Sequence, residues 1–415
     1  MFFKLLKDAL KVKNVRNKIL FTIFIIFVFR VGTHVTVPGI NAESLKQLSD
    51  LPFLNMLNLV SGNAMNNFSI FSMGVSPYIT ASIIVQLLQM DIYPKFVEWG
   101  KQGEVGRRKL NQATRYITLV LAFVQSIGIT ASFNTLSSIS LVKTPNVSTY
   151  LLIGTILTAG SIIVTWLGEQ ITDKGFGNGV SMIIFSGIIA SIPKMFSTIY
   201  EDFFVNVRSG ELTRSYIIVA LLIVVGLAIV FFTTFVQQAE YQIPIQYTKL
   251  VQGAPTSSYL PLKVNPAGVI PVIFASSITT IPSTILPFFS KVTWLSHLQG
   301  LLSYNTPSGM ITYAILIILF SFFYTFVQVN PEKTAENLQK NGSYIPSVRP
   351  GRETEKYMSS LLKRLATIGA VFLAFISLAP IAAQQFMHLT SSIALGGTSL
   401  LILISTGIEG MKQLE

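Results

Sequence analysis

Two short stretches of this 415-residue chain decide the fold that we predict: residues 73–79 read Met-Gly-Val-Ser-Pro-Tyr-Ile, and residues 267–273 read Ala-Gly-Val-Ile-Pro-Val-Ile. Each has a glycine, a proline three residues later and an isoleucine two residues after the proline. Proline is tolerated in the first turn of a helix, and a glycine before it lets the chain bend. Each stretch therefore predicts a helix that begins after a break. Paired breaks in corresponding membrane helices are typical of transporters built from two repeats.

The composition around these stretches is that of an integral membrane protein. Hydrophobic residues make up 51% of the chain and charged residues only 12%, about half the charged fraction of soluble domains. This excludes a disordered chain, a coiled coil and an ordinary cytosolic enzyme. The formal net charge is +12, which in a membrane protein more often reflects topology than nucleic-acid binding. The chain has no cysteine, so a disulfide framework and a thiol nucleophile are excluded.

Ten stretches are long and apolar enough to cross a bilayer, which takes about 20 residues of helix. Ten crossings leave both termini on the same side of the membrane. The predicted spans are 19–36, 75–92, 114–134, 150–168, 178–196, 215–236, 267–288, 309–329, 365–384 and 396–411.

The segment 54–72 needs a different interpretation. It has leucine and phenylalanine at near-helical spacing, but its many polar side chains would need partners in lipid. With ten spans, 23 Lys and Arg lie on the side of the termini and 6 on the other side, whereas an eleventh crossing changes these counts to 11 and 18. The positive-inside rule therefore predicts ten spans and cytoplasmic termini. We interpret 54–72 as a re-entrant helix, which implies a cavity around it.

The chain divides near residue 205 into two halves with five spans each. An odd number of spans per half means that a duplicated unit would sit in opposite orientations. We predict an N-terminal half of residues 1–205 and a C-terminal half of residues 206–415, the second with cytoplasmic loops at 237–266 and 331–364. The predicted fold class is an all-α integral membrane protein of ten transmembrane helices, in two inverted five-helix halves with a re-entrant helix.

The inventory of reactive side chains points away from catalysis. The three histidines stand in separate loops or span ends, so we expect no metal site. No nucleophile–base pair or nucleotide-binding loop can be assembled, and we expect neither enzymatic activity nor a cofactor. Arg30 is the only formal charge deep in a span. It is either functional or an arginine near a helix end whose guanidinium reaches outward.

Two cytoplasmic segments, 101–109 and 331–364, are rich in basic residues. Their charges either only set the topology or dock an acidic or nucleic-acid-rich partner. The second segment is long for a membrane connector, and long ordered loops tend to be functional.

Motifs spread along the chain resemble the SecY family of protein-translocation channel subunits. They occur in order from residue 29 to residue 400, and together they are highly specific, although each alone would be a weak signal. These motifs are Phe29-Arg30-Val31-Gly32, Val37-Pro38-Gly39-Ile40, Pro77-Tyr78-Ile79-Thr80-Ala81-Ser82-Ile83-Ile84, Gly106-Arg107-Arg108-Lys109, Trp166-Leu167-Gly168-Glu169-Gln170-Ile171-Thr172, Gly177-Asn178-Gly179, Leu260-Pro261-Leu262-Lys263-Val264-Asn265, Gly268-Val269-Ile270-Pro271, Arg349-Pro350-Gly351 and Gly396-Gly397-Thr398-Ser399-Leu400.

This resemblance implies a passive protein-conducting channel of the bacterial cytoplasmic membrane. Such a channel has an apolar ring as its constriction, a plug against that ring, and a lateral gate between the second and seventh transmembrane helices. The implied ring residues are Val75, Ile79, Val180, Ile184, Ile273 and Ile402. The implied plug residues are Asn58, Ser61, Gly62, Asn63, Asn66 and Asn67. The polar residues predicted on the gate faces are Thr80, Ser82, Gln86, Gln125, Ser276 and Ser277; they either hold the gate shut by hydrogen bonds or serve ordinary helix packing.

The resemblance also implies partners: the small membrane subunits SecE and SecG, the motor ATPase SecA, the ribosome, signal peptides with nascent secretory chains, and membrane lipid. We expect docking of cytoplasmic partners at Arg107, Arg108, Arg349 and Lys356. The loop 237–263 departs from the family pattern, because it lacks basic pairs at its tip. Two alternatives stay open: an ion-coupled small-molecule secondary transporter, against which the lack of titratable groups in the spans argues, and an accessory, substrate-restricted SecY paralogue.

Overall fold

The chain folds into twelve α-helices and one small β-sheet within the part that the computed structural model describes. The described residues are 11–41, 61–62, 64–136, 142, 145–205, 212–247, 257–285, 306–387 and 396–414. The helices are α1 (Lys13–Gly32), α2 (Ser76–Leu87), α3 (Pro94–Lys101), α4 (Gly103–Leu136), α5 (Val147–Lys174), α6 (Gly179–Tyr200), α7 (Leu212–Gln238), α8 (Ile270–Ile285), α9 (Pro307–Gln328), α10 (Pro331–Lys340), α11 (Arg352–Met387) and α12 (Gly396–Leu414).

Ten of these helices overlap the ten predicted spans, and α3 and α10 are short helices in the connectors. Among the described residues, α4, α5, α6, α7, α9 and α11 contain stretches that are long and apolar enough to cross a membrane by length and composition. Several helices run beyond their predicted ends. For example, α4 begins at Gly103 and α11 at Arg352, because polar residues continue each helix outside the apolar stretch that predicted it.

The helices α2 and α8 begin in the same way, as the paired breaks in the sequence predict. Gly74 and Gly268 have φ angles of +52° and +63°, a region that glycine adopts without steric penalty. Each helix begins two residues later, at Ser76 and at Ile270. Pro77 lies in the first turn of α2, where its missing N–H leaves no hydrogen bond unmade.

An antiparallel sheet lies in the connectors, and the sequence analysis did not predict it. Its strands are β1 (Glu240–Tyr247), β2 (Ser257–Lys263) and β3 (Ser343–Tyr344), in the spatial order β2-β1-β3. In β1, Ile243 and Ile245 are buried between exposed neighbours, the alternation expected of a strand with one covered face. The sheet joins the two loops that we predicted as separate, since β1 and β2 come from 237–266 and β3 comes from 331–364.

The first five of the ten long helices meet the last five along two seams. At one seam α8 packs against α2 and α4, and at the other α12 packs against α6. A single buried apolar cluster includes residues from both groups of helices. The helix α7 packs against α12 but keeps most of its apolar side chains exposed, as expected for a surface that lipid or another membrane helix covers.

The described part of the re-entrant segment turns back without forming a long helix. Ala64–Asn67 makes a single 3₁₀ turn, and the backbone N–H of Ile70 then donates to the carbonyl oxygen of Val35 at 2.9 Å. This hydrogen bond ties the returning chain to the segment that follows α1. The remainder of the predicted re-entrant helix, residues 54–60 and Asn63, lies outside the described residues.

Candidate functional site

The six aliphatic residues that were predicted as a ring lie in one contiguous apolar cluster. One immediately precedes α2 and one lies in its first turn, two come from α6, and one each comes from α8 and α12, so helices from both seams contribute. Five are buried and one, Val180, is partly buried. We call this set the collar, and its members are Val75, Ile79, Val180, Ile184, Ile273 and Ile402.

Local structure explains how the collar is positioned. Val75 caps α2, and the backbone N–H of Ile79 donates to its carbonyl oxygen at 3.0 Å. The two residues from α6 are also four positions apart, so each pair lies on one side of its helix. The start of α6 is pressed against α5, because a Cβ atom at Gly179 would lie 1.8 Å from the carbonyl oxygen of Gly168. Glycine at this position therefore lets Val180, the next residue, reach the cluster.

The re-entrant segment packs against the same cluster. Ala64 and Phe71 are buried in it, and the ring of Phe71 stacks on that of Phe29 in α1, with centroids 5.9 Å apart. A Cβ atom at Gly160 of α5 would lie 1.8 Å from the carbonyl oxygen of Ile70. The backbone of α5 therefore directly supports the returning chain.

The predicted plug residues have different surroundings. Ser61 is buried, and its hydroxyl has no hydrogen-bond partner among the described residues. Gly62 has a φ angle of +68°, Asn66 is partly buried, and Asn67 Nδ2 donates to the carbonyl oxygen of Thr33 at 3.4 Å. Outside the described residues lie Asn58 and Asn63.

The side chain of Arg30 turns inward rather than outward. Its guanidinium donates one hydrogen bond to the carbonyl oxygen of Gly62 in the re-entrant segment and another to the carbonyl oxygen of Ser186 in α6. The interpretation of Arg30 as a helix-end arginine that reaches outward is therefore wrong. The sequence showed that this charge was unusual, but it gave no sign of the two carbonyl groups, which are distant along the chain.

The predicted gate residues lie on α2, α4 and α8, which pack against one another. Four side-chain hydrogen bonds at these positions run within a single helix, from Thr80 to Ser76, from Gln86 to Ser82, and from Ser276 and Ser277 to Ile273. Such bonds are common for serine and threonine in helices. Gln125 is buried on α4. A seal of hydrogen bonds across α2 and α8 therefore stays a prediction.

The four predicted docking residues are exposed, but they belong to two different elements. Arg107 and Arg108 lie near the start of α4, Arg349 precedes α11, and Lys356 lies in the first turns of α11. Thr354 Oγ1 donates to the carbonyl oxygen of Arg349 at 2.9 Å, which fixes the backbone at the start of α11.

The sheet and the residues around it have a small apolar core of their own. Its buried members are Ile243, Leu262, Ile345, Met358, Leu362 and Leu365. Tyr344 Oη donates to Gln246 Oε1 at 2.9 Å, and Lys412 Nζ of α12 lies 2.7 Å from Glu240 Oε1 of β1. We call the three strands, α10 and the first turns of α11 the connector module. Sequence analysis treated its two loops separately and missed it.

One ion pair joins two long helices. Arg115 Nε of α4 donates to Glu169 Oε1 of α5 at 3.0 Å, so this pair ties two neighbouring helices together. In the described ranges no group of three or more His, Cys, Asp or Glu residues could hold a metal ion.

Comparison with known proteins identifies the family to which this geometry belongs. The model of the family described as SecY matches residues 69–411. The protein translocase subunit SecY of Streptococcus sanguinis is 71% identical over 419 residues, which cover 100% of this chain and 96% of that protein.

Solved structures have the same fold. One matches with a TM-score of 0.68 at 16% identity, over 96% of this chain and 91% of that one. It is described as showing that the plug domain of the SecY protein stabilises the closed state of the translocation channel and maintains a membrane seal. Sec61 in the canine ribosome-channel complex from the endoplasmic reticulum matches with a TM-score of 0.62 at 15% identity, over 96% and 91% of the two chains. The predicted fold class is confirmed. Because the relatives are protein translocase subunits, the prediction of a protein-translocation channel is confirmed over the alternative of a small-molecule transporter.

Proposed function

Because the chain belongs to the SecY family and is a protein-translocation channel subunit, we propose that the collar is the constriction of this channel. The observation that carries the proposal is that collar residues from both seams, at α2, α6, α8 and α12, share one apolar cluster. A chain in transit exposes backbone N–H and C=O groups, and each costs several kcal/mol if it is stranded in hydrocarbon. A thin aliphatic collar between watery funnels leaves few of these groups unsolvated. It also offers no fixed hydrogen bonds, so unfolded chains of any sequence can slide through.

The same collar would close the resting channel. An aliphatic constriction disfavours water and blocks ions by dewetting when no polypeptide fills it. The segment 54–72 would act as a plug that completes the seal. Ala64 and Phe71 are buried in the apolar cluster that contains the collar, which we call the collar cluster, and this burial supports the role.

Cysteine crosslinking tests the constriction directly. We expect Ile79→Cys and Ile273→Cys, on opposite sides of one seam, both to crosslink to a secretory chain stalled in transit, because a narrow collar contacts whatever passes. Val224→Cys is the control, since Val224 lies on α7 and is 66% exposed. Adducts are counted on gels after a bifunctional reagent is added to membranes. Crosslinks at residue 224 with none at 79 or 273 would show that the collar does not line the path of the translocating chain.

Lateral release of apolar segments would occur between α2 and α8. These two helices touch, and their separation would open the collar cluster toward lipid. An apolar signal segment would be driven outward by about 25 cal/mol for each Å² of apolar surface removed from water. The gate residues would tune this step through modest polar contacts between helices.

The proposed setting is the bacterial cytoplasmic membrane, with both termini on the cytoplasmic side. The asymmetry in the distribution of Lys and Arg supports this orientation. Each half, 1–205 and 206–415, would contribute five spans of opposite orientation. The shared Gly-x-x-Pro starts of α2 and α8, with matching φ angles at Gly74 and Gly268, support this internal repeat.

The proposed channel is passive, and its partners supply the energy. SecA or the ribosome would push the chain from the cytoplasmic side, and SecE and SecG would pack beside the spans. Purification in mild detergent, followed by identification of the co-eluting subunits, tests this list.

The connector module is the proposed docking surface, because its own core makes it a firm platform on which Arg349 and Lys356 are exposed.

Charge reversal tests the docking surface. We expect Arg349→Glu to reduce motor-driven export severalfold while the channel still inserts in the membrane, because a repulsive charge would face an acidic partner. Lys95→Glu in α3 is the control, since Lys95 is also exposed but lies outside the connector module, and its export should match the wild type. Export of a secretory precursor into inverted vesicles is the measurement. Undiminished export by the Arg349 variant would remove this residue from the docking surface.

A further inference from the structure

Arg30 connects three parts of the channel that are distant in sequence. It lies near the end of α1, and its Nη1 donates to the carbonyl oxygen of Gly62 in the re-entrant segment at 2.7 Å. Its Nη2 donates to the carbonyl oxygen of Ser186 in α6. One planar guanidinium therefore bridges the backbone of the re-entrant segment and the backbone of a collar helix, in the forked geometry that arginine allows and lysine does not.

The surroundings of this bridge are closely packed. A Cβ atom at Gly187 of α6 would lie 2.4 Å from the Cα atom of Gly62, so the two backbones touch where the guanidinium joins them. The ring of Phe29 lies 5.7 Å from Arg30 Cζ, within the range of a cation–π contact. Ser186 is two residues beyond the collar residue Ile184 on the same helix. The bridge is therefore adjacent to the collar.

The acceptors of this bridge are neutral. Within the described part of the chain, no carboxylate lies within ion-pair distance of Arg30. A guanidinium that binds carbonyl oxygens makes charge-assisted hydrogen bonds without the strong attraction of a buried ion pair. Such a contact can hold a segment in place and still release it, because both the carbonyl and the arginine can bind water once they separate.

We propose that Arg30 is the residue that latches the plug in its closed position. This role rests on the proposed function, in which the segment 54–72 is the plug. Arg30 is a positioning residue: it touches the plug and α6, and it sets the balance between the seated and displaced plug. When an entering chain displaces the plug, the hydrogen bond to Gly62 breaks, whereas the hydrogen bond to Ser186 can remain. The side chain is then ready to capture the plug again.

Resting ion conductance tests the latch. The full chain, purified with the membrane subunits that accompany it, is measured in planar bilayers in KCl. We expect Arg30→Gln to raise resting conductance about tenfold, because a hydrogen bond to a charged group is strong enough to shift an equilibrium by that factor. Arg30→Lys should give an intermediate value, since lysine keeps the charge but cannot bind both carbonyls in the same planar geometry. Arg16→Gln, an exposed position on the same helix, should match the wild type.

Combining the substitution with a plug deletion separates a latch from a merely structural arginine. In a channel that lacks residues 58–68, Arg30→Gln should have no further effect, because there is no plug to hold. An unchanged conductance of Arg30→Gln in the intact channel overturns the latch, and so does an equal increase in the deleted channel. If the deletion alone leaves the conductance unchanged, the plug assignment itself fails, which is a distinguishable result.

A second variant covers the case in which Arg30→Gln does not fold. Gly62→Ala keeps Arg30, but its added Cβ would lie 3.1 Å from the Phe29 ring at a φ angle of +68°, so it should lift the plug from its seat. We expect a rise in conductance similar to that of Arg30→Gln. A wild-type value for Gly62→Ala would overturn the proposal that this contact holds the plug.

Discussion

Deletion of residues 58–68 is expected to raise the resting ion conductance of the channel about tenfold, which corresponds to the loss of roughly 1.4 kcal/mol of preference for the closed state. The deletion removes Ala64, which is fully buried in the collar cluster, and Phe68, which is 1% exposed. On the side where the plug had packed, the collar would then face water. A short apolar constriction flanked by water on both sides wets more readily than one backed by packed protein. Single-channel recording without a translocating chain measures the effect.

The matched control for this deletion keeps the length of the segment. Asn67→Gln lies within the 3₁₀ turn, keeps an amide that can donate to the Thr33 carbonyl oxygen and leaves the apolar contacts of Ala64 intact, so its conductance should stay near that of the wild type. An equal leak from the deletion and from the wild type would show that the collar seals alone, and segment 54–72 would lose its role as a plug.

Substitution of Gly160 by alanine is expected to destabilise the folded channel by about 1–3 kcal/mol, the range for overpacking a tight contact. The new Cβ atom would meet the carbonyl oxygen of Ile70 at 1.8 Å, so one of the two backbones has to shift. The Ser161 hydroxyl, which donates to the carbonyl oxygen of Gly74 at 3.0 Å, holds the same two segments together. We expect the re-entrant return to shift away from α5, with a lower thermal midpoint in detergent.

Gly226 provides the control for this prediction. It lies in α7, and a Cβ atom there would meet nothing within 4 Å. Alanine at this position should leave stability unchanged or raise it by up to about 1 kcal/mol, because glycine is the poorer helix former. If Gly160→Ala were as stable as Gly226→Ala, the contact between α5 and the returning chain would be looser than its geometry indicates.

The spans were predictable because hydrocarbon imposes a simple rule. A backbone in lipid must satisfy its own hydrogen bonds, so long apolar runs become helices. The starts of α2 and α8 were predictable for a second local reason, since Gly74 and Gly268 mark bends that other residues resist. Outside lipid these rules weaken, and the true ends of α4 and α11 differ from the predicted spans by more than two turns.

The sequence analysis did not predict the connector module because the local sequence signals for its strands conflict. Ile243 and Ile245 alternate as a strand should, but Pro244 between them argues against a strand. The proline is tolerated because β3 pairs with Gln246 and Tyr247, and among the described residues no strand pairs with that edge of β1 beside Pro244. The pairing of β3 with β1 joins residues about a hundred positions apart, and no local pattern records it.

The sequence by itself determined the class of protein, the ten apolar segments and the two paired breaks, and the family resemblance predicted the collar residues. These features depend on composition and on neighbouring residues, which any reader of the chain can see. Only the tertiary structure decided that the collar residues share one cluster, that α5 supports the re-entrant return, and that Arg30 turns inward. Residues 30, 62 and 186 meet because three separate segments pack together, and packing between distant segments is set by the shape of the whole bundle rather than by any short stretch of chain.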